Sequence, residues 1–396
     1  MTNAVQPIPP TAFTIGTPQL FDGAMFRGPA WVRVSGNRIE SVGFGDNFPD
    51  VTLTLPAGSI LAPGFIDLQV NGGGGVLLND DPTPKAIRHI VEAHRRAGTT
   101  GCLPTLITDR IDVLERLAAA GPAALEIDGV LGFHLEGPAL NRARKGIHLE
   151  AEIRVPDARD LAALKRFGAC GRSLVTLAPE CVPPSLIAEL IAAGLRVAAG
   201  HSNATSAQLR QSADQGVTGV THLYNAMSQL TPREPGVVGA ALDDDRLYAG
   251  IICDGLHVDP TNVRIAFASK GRHRLLLVSD AMPSVGTDST EFVLQGRKIT
   301  RHGDRLASAD GTLAGAHLTM AQAVRNAVNL VGLDRVDALT MASRTPATFL
   351  GLQSELGSIA PGYRADLVAL DGQLDVIETW QAGRPTPGFA PGALRA

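Results

Sequence analysis

Residues 63–71 read P-G-F-I-D-L-Q-V-N and run into four glycines, Gly72, Gly73, Gly74 and Gly75. The stretch reads as a short apolar strand led in by Pro-Gly. Because strand side chains alternate, Gln69 and Asn71 share one face at its C-terminal end. Seven more apolar runs are expected as strands, at 101–106, 129–134, 174–178, 196–199, 217–222, 248–253 and 275–279. Amphipathic helical stretches at 84–97, 110–120, 182–193, 206–215 and 260–269 lie between them. Eight strands alternating with helices over about 290 residues fit an α/β fold, a (β/α)8 TIM-like barrel. A doubly wound sheet gives the same alternation, so the count supports the barrel without deciding it.

Outside 63–353 the texture changes. Residues 30–34 and 38–42 flank Ser35-Gly36-Asn37, a hairpin signal, and 51–55 alternates before Pro56. After helices near 318–330 and 337–350, residues 357–370 hold a turn and an alternating strand. Residues 1–62 and 354–396 are therefore expected to form one small β-sandwich domain from both chain ends. The barrel, 63–353, is inserted between them.

The chain of 396 residues is 44% apolar and 4% aromatic, with a net charge of −4. Without a basic run, no nucleic-acid partner is expected. No window approaches the roughly 20 apolar residues of a membrane span. The opening M-T-N-A-V-Q-P-I-P-P has neither the basic nor the apolar part of a secretory signal, so a cytoplasmic location is expected. Cys102, Cys170, Cys181 and Cys253 form no CxxC pair and read as small buried hydrophobes in a reducing compartment.

In a parallel barrel the working residues stand at the C-terminal ends of strands. Glu136 follows G-V-L-G-F-H-L, His201 ends R-V-A-A-G-H, and His222 ends G-V-T-G-V-T-H. One carboxylate and two imidazoles from three strand ends would make a three-ligand metal site with room for water. A single strand-end histidine is more often a structural hydrogen-bonder; three candidate ligands together reverse that balance. Asp280 ends L-L-L-V-S-D, an apolar run with no packing reason to bear a carboxylate. It is placed to take and return a proton, the competing role being a helix N-cap. His148 in R-K-G-I-H, His257 in D-G-L-H-V-D and Arg233 in T-P-R-E-P lie on loops beyond strand ends. There an imidazole can hold a carbonyl or hydroxyl and a guanidinium an anion; each could equally be solvated. His134, two residues before Glu136, is expected inside the barrel. The sequence has no phosphate loop and no G-x-S-x-G elbow. The glycine run 72–75 lacks the helix continuation of a dinucleotide fingerprint.

These residues sit in recurring motifs: G-F-H-L-E-G-P (132–138), K-G-I-H (145–148), A-G-H-S-N-A (199–204), T-H-L-Y-N-A-M (221–227), R-E-P-G (233–236), D-G-L-H-V-D (254–259), L-V-S-D-A-M (277–282) and P-G-Y-R-A-D-L-V (361–368). With P-G-F-I-D-L-Q-V-N-G, they make the chain, over residues 20–385, resemble the N-acetylglucosamine-6-phosphate deacetylase family of the amidohydrolase superfamily. H-L-E-G-P followed by H-L-Y-N-A-M is the specific part; the last motif is shared more widely. The resemblance implies hydrolysis of N-acetyl-D-glucosamine 6-phosphate to D-glucosamine 6-phosphate and acetate. The galactosamine epimer, N-acetylgalactosamine 6-phosphate, stays open, because nothing in the sequence reads the one hydroxyl that differs.

The resemblance further implies that Glu136, His201 and His222 hold one divalent ion per subunit, zinc first, with iron and cobalt also suited. It implies Asp280 as the acid/base and His148 as a substrate contact that polarises the acetyl carbonyl. His257 would touch the sugar, and Asn225, Ala226, Leu313, Ala314 and Gly315 would bind substrate. Arg233 resembles a residue that reaches the substrate phosphate of the neighbouring subunit, which implies a homodimer. Many metal-dependent hydrolases carry His-x-His where this chain has Gln69 and Asn71, and amides are poor ligands for a transition metal. Some members of the family have a histidine there and a second metal; others have Gln-x-Asn. The pair is thus expected to mark a vacant second metal site, left to hold water or support other groups.

Overall fold

The computed structural model describes residues 12–45 and 51–387; residues 1–11, 46–50 and 388–396 of the expected small domain lie outside them. Eight parallel strands form one sheet in chain order: Phe65–Val70, Thr99–Ile107, His134–Glu136, Leu174–Leu177, Arg196–Ala199, Gly219–Val220, Tyr248–Ile252 and Leu275–Val278. Most are buried along their whole length, as befits strands covered on both faces. That is why they read as unbroken apolar runs.

The sheet closes into a barrel through a few bonds between the first and eighth strands. The amide N–H groups of Asn71 and Gly72 both donate to the Ala281 carbonyl, at 2.9 and 3.0 Å. Below them, the buried Asp67 carboxylate accepts from the Ser279 amide at 3.2 Å and from the Ser279 hydroxyl. The third strand differs from expectation: it begins at His134 where it was expected to end. Gly129 and Gly132 take φ of +99° and +155°, so the chain there cannot run as a regular strand.

Helices cover the outside. Pro84–Arg95 begins on a Thr83 cap, with proline at its first position, and buries Ile87, Ile90, Val91 and His94 on one face. The single helix expected over 337–350 is two, Arg335–Ala342 and Arg344–Leu350, broken at Ser343. Helices Ala158–Arg166 and Gly236–Asp243 were not expected. Neither was a three-stranded antiparallel sheet, Glu291–Leu294, Arg297–His302 and Arg305–Ser308, inserted after the eighth strand. Its Leu294, Ile299 and Leu306 pack on Leu77, Ile107 and Met282 and roof part of the barrel's C-terminal end.

Both chain ends contribute to a pair of small sheets. One carries Arg38–Phe44, Ala30–Ser35, Ala12–Thr17 and Leu53–Thr54; the other carries Arg384–Pro385, Val376–Gln381, Leu367–Leu370 and Ile60–Pro63. Ile15, Val32, Val34, Leu61, Leu367 and Trp380 form a core between them, separate from that of the barrel. The fold is the (β/α)8 barrel with a small β-sandwich read from the sequence.

Candidate active site

Three of the strand-end residues stand on left-handed backbone. His201, His222 and Asp280 have φ of +47°, +34° and +52°. For residues with a Cβ this conformation costs on the order of 1–3 kcal/mol each and collects at functional sites. It turns each side chain off its strand and inward over the barrel mouth. Gly200 makes the turn before His201 feasible, because a Cβ there would stand 2.6 Å from Thr176 Cγ2.

The turned side chains converge on Glu136. His222 Nε2 lies 3.0 Å and His201 Nε2 3.3 Å from Glu136 Oε1, and the two nitrogens are 3.1 Å apart. His201 Nδ1 donates to the Arg144 carbonyl at 2.8 Å, which leaves Nε2 to face the cluster. Two imidazole nitrogens and a carboxylate oxygen this close repel unless a proton or a cation sits among them. They are the donor types and number of a catalytic divalent-metal site, so the residues fit such an ion. Burial pushes the Glu136 carboxyl up, but hydrogen bonds and charge from His201 and His222 outweigh it and hold the carboxyl well below its ordinary range.

His148 lies beside this group. Its Nε2 is 3.7 Å from Glu136 Oε2, and its ring stacks edge-on to that of His201, centroids 4.4 Å apart. A ring nitrogen of His148 also falls within 4.8 Å of donor atoms of Glu136 and His201, but its approach is longer than any within the trio. Burial and the nearby His201 drive its pKa down to about 3, so the ring is neutral.

Gln69 and Asn71 do not face the trio as ligands. Gln69 Nε2 donates to Glu136 Oε1 at 3.3 Å, and Asn71 Nδ2 donates to Asp280 Oδ1 at 2.7 Å. Each amide thus supplies partial positive charge to one of the site's carboxylates. Asp280 is pushed up to about 6 by burial, then by the charge of Glu136. Asp67 lies two residues before Gln69 and its carboxylate accepts the Gln69 backbone N–H at 3.2 Å. Burial raises its pKa to about 7. Sequence reading passed over Asp67, although a carboxylate inside an apolar strand was signal enough.

A cavity of about 380 Å³ opens above these groups. Its walls include Asn71, Glu136, His148, His201, His222, Asn225, Ala226, His257, Asp280, Leu313 and Gly315. Ala314 does not line it; its side chain is buried with Leu294 and Leu306 under the three-stranded sheet. Arg233 is exposed on the loop before Gly236–Asp243 and also stands outside the cavity. Arg144, which sequence reading left unassigned, lines the wall and donates to Asn203 at 2.9 Å. His134 is buried inside the barrel as expected, 2.7 Å from Thr176 Oγ1. His94, given no role from sequence, is fully buried and hydrogen-bonded to the Gly72 carbonyl at 2.8 Å.

A family model described as "Amidohydrolase family" matches residues 60–392. The chain belongs to the amidohydrolase family. Within it, the chain is 44% identical to the N-acetylgalactosamine-6-phosphate deacetylase of Shewanella sp. (strain ANA-3), over 83% of each chain. The crystal structure of N-acetylglucosamine-6-phosphate deacetylase from Pasteurella multocida superposes with a TM-score of 0.91 at 34% identity, covering 94% of this chain and 99% of that one. A Mycobacterium smegmatis N-acetyl-D-glucosamine-6-phosphate deacetylase mutant, in complex with N-acetyl-D-glucosamine-6-phosphate, gives 0.89 at 32% identity, covering 95% and 100%. These amidohydrolases share the whole architecture, barrel and small sheets together.

Proposed function

We propose that the chain hydrolyses the N-acetyl amide of N-acetyl-D-glucosamine 6-phosphate, giving D-glucosamine 6-phosphate and acetate. The observation that carries this reading is the meeting of Glu136, His201, His222 and Asp280 in one cavity, in a fold whose relatives are named for this reaction. Glu136, His201 and His222 would hold one divalent ion, zinc first, with iron or cobalt also suited. When bound, such an ion acidifies a water and polarises a carbonyl. Asp280, poised near 6 by its burial, takes a proton from the attacking water and delivers it to the amide nitrogen as the C–N bond breaks. The neutral His148 donates a hydrogen bond to the carbonyl oxygen as charge grows there.

Asn225, Ala226, His257, Leu313 and Gly315 bound the space for the sugar phosphate. Arg233 stands outside that space, exposed, and in this reading it reaches the substrate phosphate of a second copy in a homodimer. All four cysteines are free, three of them buried, which supports a reducing, cytoplasmic setting. No helix among the described residues is long and apolar enough to cross a membrane. The test is acetate release by metal-analysed protein from N-acetylglucosamine 6-phosphate, with the unphosphorylated sugar as control. Absence of acetate from the phosphorylated sugar overturns the reading.

One observation favours a second substrate. The relative at 44% identity is named for the galactosamine epimer. Comparing kcat/KM for the two 6-phosphates decides between them; a tenfold preference for the galactosamine sugar would reverse the assignment.

A further inference from the structure

Asp254 stands just past the seventh strand, Tyr248–Ile252, and its carboxylate is buried. Oδ1 accepts the backbone N–H groups of Leu256 and His257, both at 2.8 Å, and so fixes the turn D-G-L-H. Oδ2 lies 2.6 Å from His257 Nδ1. The pair is inside the protein, where the carboxylate keeps its charge: burial pushes its pKa up, but the hydrogen bond from His257 Nδ1 and those from the backbone N–H groups of His257 and Leu256 hold it low. A carboxylate can only accept, so His257 Nδ1 must carry the proton. In the neutral ring Nε2 then bears the lone pair. No described residue hydrogen-bonds Nε2, and the ring lines the cavity.

We infer that Asp254 is a positioning residue that sets the polarity of His257, so that Nε2 accepts a hydrogen bond from a hydroxyl of the bound sugar. The inference deepens the deacetylase reading and rests on it for the substrate. It differs from a merely structural role in one respect that chemistry can isolate. In Asp254→Asn the amide oxygen still accepts both backbone N–H groups, so the turn survives. The amide nitrogen then faces His257 Nδ1 and donates to it. The flipped amide is excluded, because its NH2 would confront two backbone donors. Nδ1 is forced to become the acceptor, and Nε2 becomes a donor.

The experiment is nitrogen NMR of 15N-histidine-labelled, metal-loaded protein, with the His257 signals assigned by their loss in His257→Gln. In the wild type Nε2 is expected without a proton, and in Asp254→Asn with one. Kinetics of the same variant on N-acetylglucosamine 6-phosphate should show KM raised about tenfold and kcat changed far less, at unchanged metal content. A protonated Nε2 opposite a bare Nδ1 in the wild type overturns the inference. So does an Asp254→Asn enzyme with wild-type KM, which is what a purely structural Asp254 would give. Asp254→Ala, which loses both the turn and the ring contact, measures the structural loss separately. Because the NMR readout needs no substrate, an enzyme inactive on this sugar would sink the deacetylase reading and leave the tautomer result standing.

Discussion

Gln69 lies near the end of the first strand, where its register against the second strand shifts, and Asn71 lies one residue beyond that strand. His201, His222 and Asp280 stand just past their strands on left-handed backbone. The first pair needs no left-handed backbone; the other three do, and are held in it by the surrounding fold. Their chemistry divides the same way. The amides donate N–H groups to the carboxylates of Asp280 and Glu136, while the histidines turn their Nε2 atoms toward a shared centre. A hydrogen-bond donor can supply positive charge where an ion otherwise would, which is the role we propose for the two amides.

The largest effect is expected at Asp280. Asp280→Asn removes the proposed proton carrier, and kcat should fall by on the order of 10³-fold or more while metal analysis stays near wild type. Turnover near normal would mean that another group moves the proton. Next in size is the histidine side. His222→Ala should lower metal affinity about 100-fold or more, read by competition with a chelating dye, because supporting residues alone are worth about 10–100-fold. Full retention would point to His148 as the third donor.

The amide side gives the sharpest test. Gln69→His with Asn71→His restores two imidazoles on one strand face, and elemental analysis should rise from one ion per chain to two. If it stays at one, something other than the amides closes the second site. A smaller effect follows from Asn71→Ala. The Asn71 donor favours the charged form of Asp280, so its loss should raise the Asp280 pKa and move the acid limb of the kcat profile upward by about one unit. Rates below the midpoint then fall, and a downward shift contradicts the assignment.

The smallest effect concerns stability. Asp67 has its pKa raised to about 7 in the folded chain, from 3.8. The folded state therefore binds the proton more tightly. The stability this contributes is full below 3.8 and is lost as pH rises through about 7. Asp67→Asn, neutral throughout, should flatten the fall of Tm over that window; identical slopes would refute the shift.

Much of the barrel was legible because its strands are apolar end to end and its amphipathic helices keep a 3.6-residue period. Gly236–Asp243 was not, because it is buried all round, carries two glycines and shows no polar face. The three-stranded sheet was readable in principle: Gln295-Gly296 and Gly303-Asp304 are turn signals between alternating segments, and they were passed over. Within the site, residue type and strand-end position were enough to select Glu136, His201, His222 and Asp280 as candidates. The amides' partners were not legible, since Asn71 meets a carboxylate 209 residues away. Ala314 shows the limit of carrying a motif over whole, because only its neighbours face the cavity.

The clasp between Asp67 and Ser279 joins residues 212 apart in sequence. Glu136, His201 and His222 all precede the strand that brings Ser279 and Asp280. A chain emerging from its N-terminus therefore contains every proposed metal donor before it contains the proposed proton carrier. The eighth strand both shuts the barrel and brings Asp280 to Asn71, so under the proposed mechanism a chain cut before it would lack its proton carrier whatever its other donors could hold.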